Sequence, residues 1–224
     1  MNNFIEVPAS KKSLSLRKPL YGVGINDVIY ITNQEVDGKQ STCHYYRTWK
    51  NMLRRSYCHK YHAMKPTYLN CSVVKEWLTF SVFKEWMKDQ DWQSKQLDKD
   101  IIMPGNKEYG PIACVFVSSA INKLLSDHAA ARGALPQGVC FNKPMGKYQA
   151  RCSINGKNQH LGYFTSIPEA EIEYLEFKSS LIKKVAFEPE AVSNPKLQAA
   201  LIRHSEAFKQ KLDDLTQQTK QLTP

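Results

Sequence analysis

The sequence has no apolar run long enough to cross a membrane. Its first residues lack the hydrophobic core of a secretory signal, so a cytosolic protein is expected. No CxxC pair occurs, and the six cysteines stand at Cys43, Cys58, Cys71, Cys114, Cys140 and Cys152. That spacing argues against a zinc ribbon and fits reduced, mostly buried thiols. There is no internal repeat and no low-complexity segment. Acidic residues are in deficit: 21 Asp and Glu stand against 31 Lys and Arg, a formal net charge of +10. A cation excess of this size points to a polyanionic partner.

A length of 224 residues with 42% hydrophobic content allows one or two cored domains. Residues 1–40 form a basic arm with Lys11, Lys12, Arg17 and Lys18. Short strands over 20–27 and 28–32 and a turn at Asp37-Gly38 are expected there, with a mobile terminus as the simplest reading and a disordered or loosely docked arm touching phosphates as the alternative. Residues 42–58 read as a helix with the stripe Tyr45, Trp49, Met52, Leu53 and Tyr57, and with Arg47, Lys50, Arg54 and Arg55 over the rest. A loop is expected over 58–70 and a second helix over 72–88, traced by Val73, Trp77, Phe80, Phe83 and Met87. Cys43, His44, Cys58, His59 and His62 cluster in sequence, but no pair has a recognised metal-ligand spacing. Residues 96–131 read as strand, loop, strand, helix, with Ser118 or Ser119 as the cap. A linker over 126–136 follows. Asn194-Pro195 opens a final helix to about Gln221, whose stripe of Leu197, Leu201, Phe208, Leu212 and Leu215 would pack on its own domain.

The most informative stretch is 137–184. Strands are expected over 138–142, 147–154 and 159–164, separated by the turn signals Lys143-Pro144-Met145-Gly146 and Asn155-Gly156. Ser166-Ile167-Pro168-Glu169 is a capping box that starts a helix. Ala170, Tyr174, Phe177 and Leu181 give that helix one apolar face. Alternation along the strands sends Ala150, Cys152 and Ile154 to the helix. It sends Cys140, Asn142, Gln149, Arg151, Ser153, Asn158 and His160 to the opposite face. Such a polar, basic, narrow sheet can enter a DNA major groove. A solvated face with no ligand is the plain alternative.

Gly138-Val139, Gly146-Lys147-Tyr148-x-Ala150-x-Cys152, Gly156-Lys157, Leu161-Gly162-x-Phe164-x-Ser166 and Glu169-Ala170 resemble the AP2 DNA-binding domain. The resemblance implies a three-stranded sheet that lies in the major groove. It also implies DNA contacts from Cys140, Asn142, Arg151, Ser153, Asn158 and His160.

A second resemblance lies upstream. Leu97-Asp98-Lys99-Asp100-Ile101, Gly105-Asn106-Lys107-x-Tyr109-x-Pro111, Cys114-x-Phe116-Val117 and Ile121-Asn122 are similar to the HNH-type proteins of bacteriophages. Trp49-x-x-Met52-Leu53-x-Arg55, Pro66-x-Tyr68 and Trp77-x-x-Phe80-x-x-Phe83 agree with it. Together the two resemblances span residues 42–185. They imply an HNH-like helical and ββα domain (41–131) and an AP2-like domain (137–187), which with the basic arm (1–40) and the C-terminal helix (194–221) make an α+β chain.

The implied function is that of a phage-type protein that binds double-stranded DNA through the AP2-like sheet in the host cytoplasm, either as a homing-type endonuclease or nickase or with the hairpin decayed so that Asp98 and Asp100 simply pair with Lys or Arg. HNH chemistry needs a general-base His and one divalent cation, Mg²⁺ or Mn²⁺. Lys99 occupies the slot of that His, and lysine is a poor general base. Asp98 and Asp100 remain as metal ligands, with Asn106 or Asn122 helping, and His59 or His62 as a base from the preceding loop. The competing readings are a non-catalytic DNA-binding regulator or anti-host protein, and a protein-binding inhibitor that reuses the DNA-binding surface against a host protein.

Overall fold

A computed structural model describes residues 4–126 and 133–222. The chain is α+β and divides into two compact units, Met1–Phe116 and Val117–Pro224. The boundary falls inside the span 41–131 expected as one domain. Most of the expected linker, residues 127–132, lies outside the described residues. Among the described residues no helix is long and apolar enough to cross a membrane. All six cysteines are free, with Cys43, Cys71, Cys114 and Cys152 buried.

The first unit is built on aromatic packing. A hairpin of β1 (Asn33–Val36) and β2 (Lys39–Thr42) turns at Asp37 and Gly38, both at positive φ, as the sequence predicts. Helix α2 (His44–Tyr57) follows and buries Tyr46, Trp49, Met52 and Leu53. Residues 58–70, expected as a loop, instead hold helix α3 (His59–Met64) and a 3₁₀ turn, Pro66–Tyr68.

The second expected helix, over 72–88, is broken into three pieces: β3 (Ser72–Val73), a 3₁₀ turn (Lys75–Leu78) and α4 (Phe80–Lys88). Distant backbone partners break it. The Ser72 and Val74 N–H groups donate to the Lys107 and Tyr109 carbonyls at 2.9 Å, beside the parallel strand β5 (Glu108–Tyr109). Ile25 donates to Leu78 and accepts from Phe80, which holds Thr79 extended. The first strand expected over 96–103 shortens to β4 (Gln96–Asp98), because the Asp98 carboxylate captures the next N–H groups and turns the chain. It pairs with β6 (Val115–Val117).

The basic arm is docked, contrary to the reading of a mobile terminus. A short helix α1 (Lys11–Ser15) is capped by Ser10. The two strands expected over 20–32 are absent as strands. Tyr21 and Gly22 sit at positive φ, and only isolated bridges form: Pro8 with Tyr30, Leu20 with Gly24, Ile25 with Thr79. The Arg17 guanidinium donates to the carbonyls of Asn26 (3.1 Å), Tyr30 (2.6 Å) and Val28. Lys84 pairs with Glu6 at 2.6 Å. Arg17→Ala should therefore lower the stability of this unit by about 1.5–3 kcal/mol, because three carbonyls lose one charged donor. A urea midpoint unchanged from wild type would show that water replaces it at no cost.

In the second unit, α5 (Ser119–Leu125) is capped by Ser118, whose own N–H donates to Glu190 at 2.7 Å. Lys178 Nζ donates to the Leu124 carbonyl at 2.5 Å. These bonds tie α5 to the second unit rather than to the preceding strands.

Strands β7 (Val139–Asn142), β8 (Lys147–Ile154) and β9 (Lys157–Phe164) form an antiparallel meander in the order β7-β8-β9. Asn155 and Gly156, both at positive φ, make the β8–β9 turn. Helix α6 (Ile167–Val185) opens on the full capping box of Ser166 and Glu169. Its Ala170 and Tyr174 pack on Val139, Ala150 and Cys152. Two alanines with no exposed surface at this contact, Ala150 and Ala170, let helix and sheet approach closely. After a short helix α7 (Pro189–Val192), α8 (Pro195–Leu222) lies along α6. Phe208, Leu212 and Leu215 join the Tyr174–Leu175 cluster, while Leu197 and Leu201 are fully buried. The final stripe packs on its own unit, as its periodicity predicts.

Candidate nucleic-acid interface

The second unit leaves one sheet face without a helix. Cross-strand register fixes which side chains share it. Cys140 faces Gln149, which faces Tyr163; Asn142 faces Lys147; Arg151 faces His160; Ser153 faces Asn158. All seven residues expected on the open face are on it together. Arg151, Ser153, Asn158 and His160 are exposed, while Cys140, Asn142 and Gln149 are half-buried.

Lys147 and Tyr163 belong to the same face and were missed. Lys147 was legible as the partner of Asn142 across the turn. Tyr163 was not, because strict alternation from His160 puts it on the helix side. The register shifts between Ala150 and Arg151, and Leu161 is the extra residue on β9. That bulge turns Leu161 into the core and Tyr163 outward.

Part of the face is pre-ordered. Gln149 Nε2 donates to His160 Nδ1 at 2.9 Å, so the neutral imidazole carries its proton on Nε2. The His160 and Tyr163 rings lie 4.6 Å apart. Cys140 Sγ donates to Gln149 Oε1 at 3.6 Å. Asn142 Oδ1 caps the 3₁₀ turn Lys143–Met145 by accepting from the Met145 N–H at 3.1 Å. Arg151 differs: its guanidinium has no hydrogen-bond or ion-pair partner among the described residues. Residues 133–168 contain Lys143, Lys147, Arg151 and Lys157 and no Asp or Glu. Nothing on the sheet or its turns offsets the four cations.

The Asp98 hairpin in the first unit is committed differently. Asp98 Oδ1 accepts from the Asp100 and Ile101 N–H groups, both at 2.9 Å. Burial, with Asp100 adding its charge, pushes the Asp98 carboxyl up to about 6. Lys99 is buried; its Nζ donates to the Asn106 carbonyl at 3.0 Å and pairs with Asp100 at 3.3 Å. The Asn106 amide spans the hairpin, donating to the Lys99 and Glu108 carbonyls at 2.7 and 2.6 Å.

His62 donates from Nε2 to the Arg55 carbonyl at 2.7 Å, and its ring lies 6.4 Å from that of His59. Asn122 is on α5, in the other unit. Among the described residues, no three His, Cys, Asp or Glu side chains gather so as to hold a metal ion. The donor set therefore does not fit a catalytic Mg²⁺ or Mn²⁺: one Asp98 oxygen is bound to backbone, and the Asp100 charge is paired with Lys99. The hairpin is held together by its own polar groups.

Comparison with models of protein families, with curated proteins and with solved structures finds no match for this chain.

Proposed function

We propose that this protein binds duplex DNA through the open face of the β7-β8-β9 sheet. The observation that carries the reading is the row of outward polar side chains with an unpaired Arg151 at its centre, in a stretch with four cations and no acid. Three strands span about 10 Å between the outer two. A B-DNA major groove is about 12 Å wide, so the sheet fits edge to edge. Arg151 offers a forked donor for guanine or phosphate. Asn142, Gln149, Ser153, Asn158 and His160 offer donors and acceptors for base edges, and the turn lysines Lys143 and Lys157 lie at the ends of the sheet for phosphates. The α6 helix backs the sheet, so the reading surface is held by core packing rather than by loops.

The test is anisotropy on a labelled duplex across a salt series. With four cations engaged, log affinity should fall against log salt with a slope of about −3 to −4. A flat titration, or no binding at low salt, rejects the reading and favours a protein partner.

The proposal is binding without strand cleavage. Lys99 occupies the slot that the HNH resemblance gives to the base His, and its amine is held between Asn106 and Asp100. Supercoiled plasmid should stay intact with Mg²⁺ or Mn²⁺. Nicking that disappears in Asp98→Ala or Asp100→Ala would overturn this.

A further inference from the structure

The first unit contains a cleft of about 750 Å³, inside the range of small-molecule sites, about 300–1,000 Å³. Helix α2 lines it with His44, Tyr45, Arg47 and Asn51, and the segment after α4 lines it with Trp92 and Gln93. Buried Met52 and Leu97 give it an apolar base.

Three features point to a ligand. The first is an aromatic plane held in place: Trp92 meets Tyr45 edge-on at 5.2 Å and His44 at 5.7 Å. The second is an available cation. Arg47 is exposed, hydrogen-bonded to neutral His44 Nδ1 at 2.7 Å, and without a carboxylate partner among the described residues. The one acid lining the cleft, Glu6, is taken by Lys84 at 2.6 Å. The third is a pair of side-chain amides, Asn51 and Gln93, with no hydrogen-bond partner among the described residues.

We propose that this cleft binds a nucleoside phosphate. The base lies against Trp92, the phosphate on Arg47, and the Asn51 amide on the base edge. An amide presents one donor and one acceptor side by side and can pair with adenine N6 and N7; the other bases offer donor–acceptor pairs of their own, so the amide adds affinity and leaves the base open. Stacking on an aromatic plane is likewise tolerant of base identity and supplies affinity. A free nucleotide and an unpaired nucleotide within a strand share this chemistry. The site lies wholly in the first unit and does not depend on DNA binding by the sheet.

The experiment is isothermal titration of the full chain with AMP, adenosine, CMP and inorganic phosphate, and with a short oligodeoxyadenylate to separate a strand from a free nucleotide. AMP and CMP should both saturate, and AMP should bind more tightly than adenosine or phosphate. Arg47→Gln should weaken AMP about tenfold, through loss of one charge-assisted contact, and leave adenosine nearly unchanged. Trp92→Leu and Asn51→Ala should each weaken AMP and adenosine alike. Thermal melting checks that each variant is folded, and Arg151→Ala should bind AMP as wild type does. Failure of AMP to saturate at millimolar concentration, phosphate binding as tightly as AMP, or unchanged AMP affinity in folded Arg47→Gln would each overturn the proposal.

Discussion

Arg151→Ala is expected to weaken duplex DNA binding about ten- to a hundred-fold, as befits loss of a contact worth about 1–3 kcal/mol. The fold should be untouched. Arg151 keeps its strand place through its backbone N–H, which donates to the Gly138 carbonyl at 2.8 Å, and alanine retains that bond. The core neighbours Ala150 and Cys152 point to the opposite face. The side chain has no protein partner to orphan among the described residues. Two kinds of contact are separable. A base contact makes the loss depend on sequence; a phosphate contact lowers the salt slope by about one across all sequences. Anisotropy on a panel of duplexes, with thermal melting beside it, reads both. Unchanged affinity in a folded variant would mean that the open face is not the reading surface.

Gly138→Ala should be among the most damaging single-methyl changes in the second unit. Gly138 stands just before β7 at φ +79°, where an L side chain is strained. A Cβ there would lie 2.0 Å from Tyr174 Cδ2, on a ring that is 3% exposed and central to the sheet–helix core. Left-handed backbone costs about 1–2 kcal/mol and overpacking about 1–3 kcal/mol. A loss of about 2–5 kcal/mol is a large share of the stability of a domain this size, typically about 5–15 kcal/mol. Because the Gly138 carbonyl also accepts from Arg151, the reading face should loosen with it. Denaturant unfolding followed by tyrosine fluorescence or circular dichroism reports the loss. A midpoint within error of wild type would mean that Tyr174 has somewhere else to go.

What could be read from the sequence was what short-range chemistry determines. The turn at Asn155-Gly156, the capping box at Ser166 and Glu169, and the alternation of β8 each depend on residues a few positions apart, and the structure has them. The helix expected over 72–88 failed because Ser72–Val73 pairs with Glu108–Tyr109, and Thr79 with Ile25; no periodicity in the segment announces those partners. The arm was misread for the same reason. Arg17 looks like a solvated charge until the carbonyls of Asn26, Val28 and Tyr30 are folded around it. On the candidate face, alternation located the polar row but not the bulge at Leu161, so Tyr163 was lost. The cleft at Trp92 was invisible in sequence, since Arg47, Asn51 and Trp92 meet only in three dimensions.

The β7-β8-β9 sheet and the first unit differ in how far along the chain their partners lie, and this bears on when each can form during synthesis. The sheet of the second unit closes through short turns between consecutive strands. Hairpins of this kind form in about 1–10 μs once the chain is available. The first unit has to wait. Asp27 accepts from Ser81, 54 residues on, and Glu6 meets Lys84, 78 residues on. At about 5–20 residues per second, the amino-terminal segment spends several seconds outside the ribosome before its partners on α4 emerge. Throughout that interval Tyr30 and Glu6 lack Lys84, whose amine lies 4.6 Å from the Tyr30 ring and 2.6 Å from the Glu6 carboxylate in the folded unit.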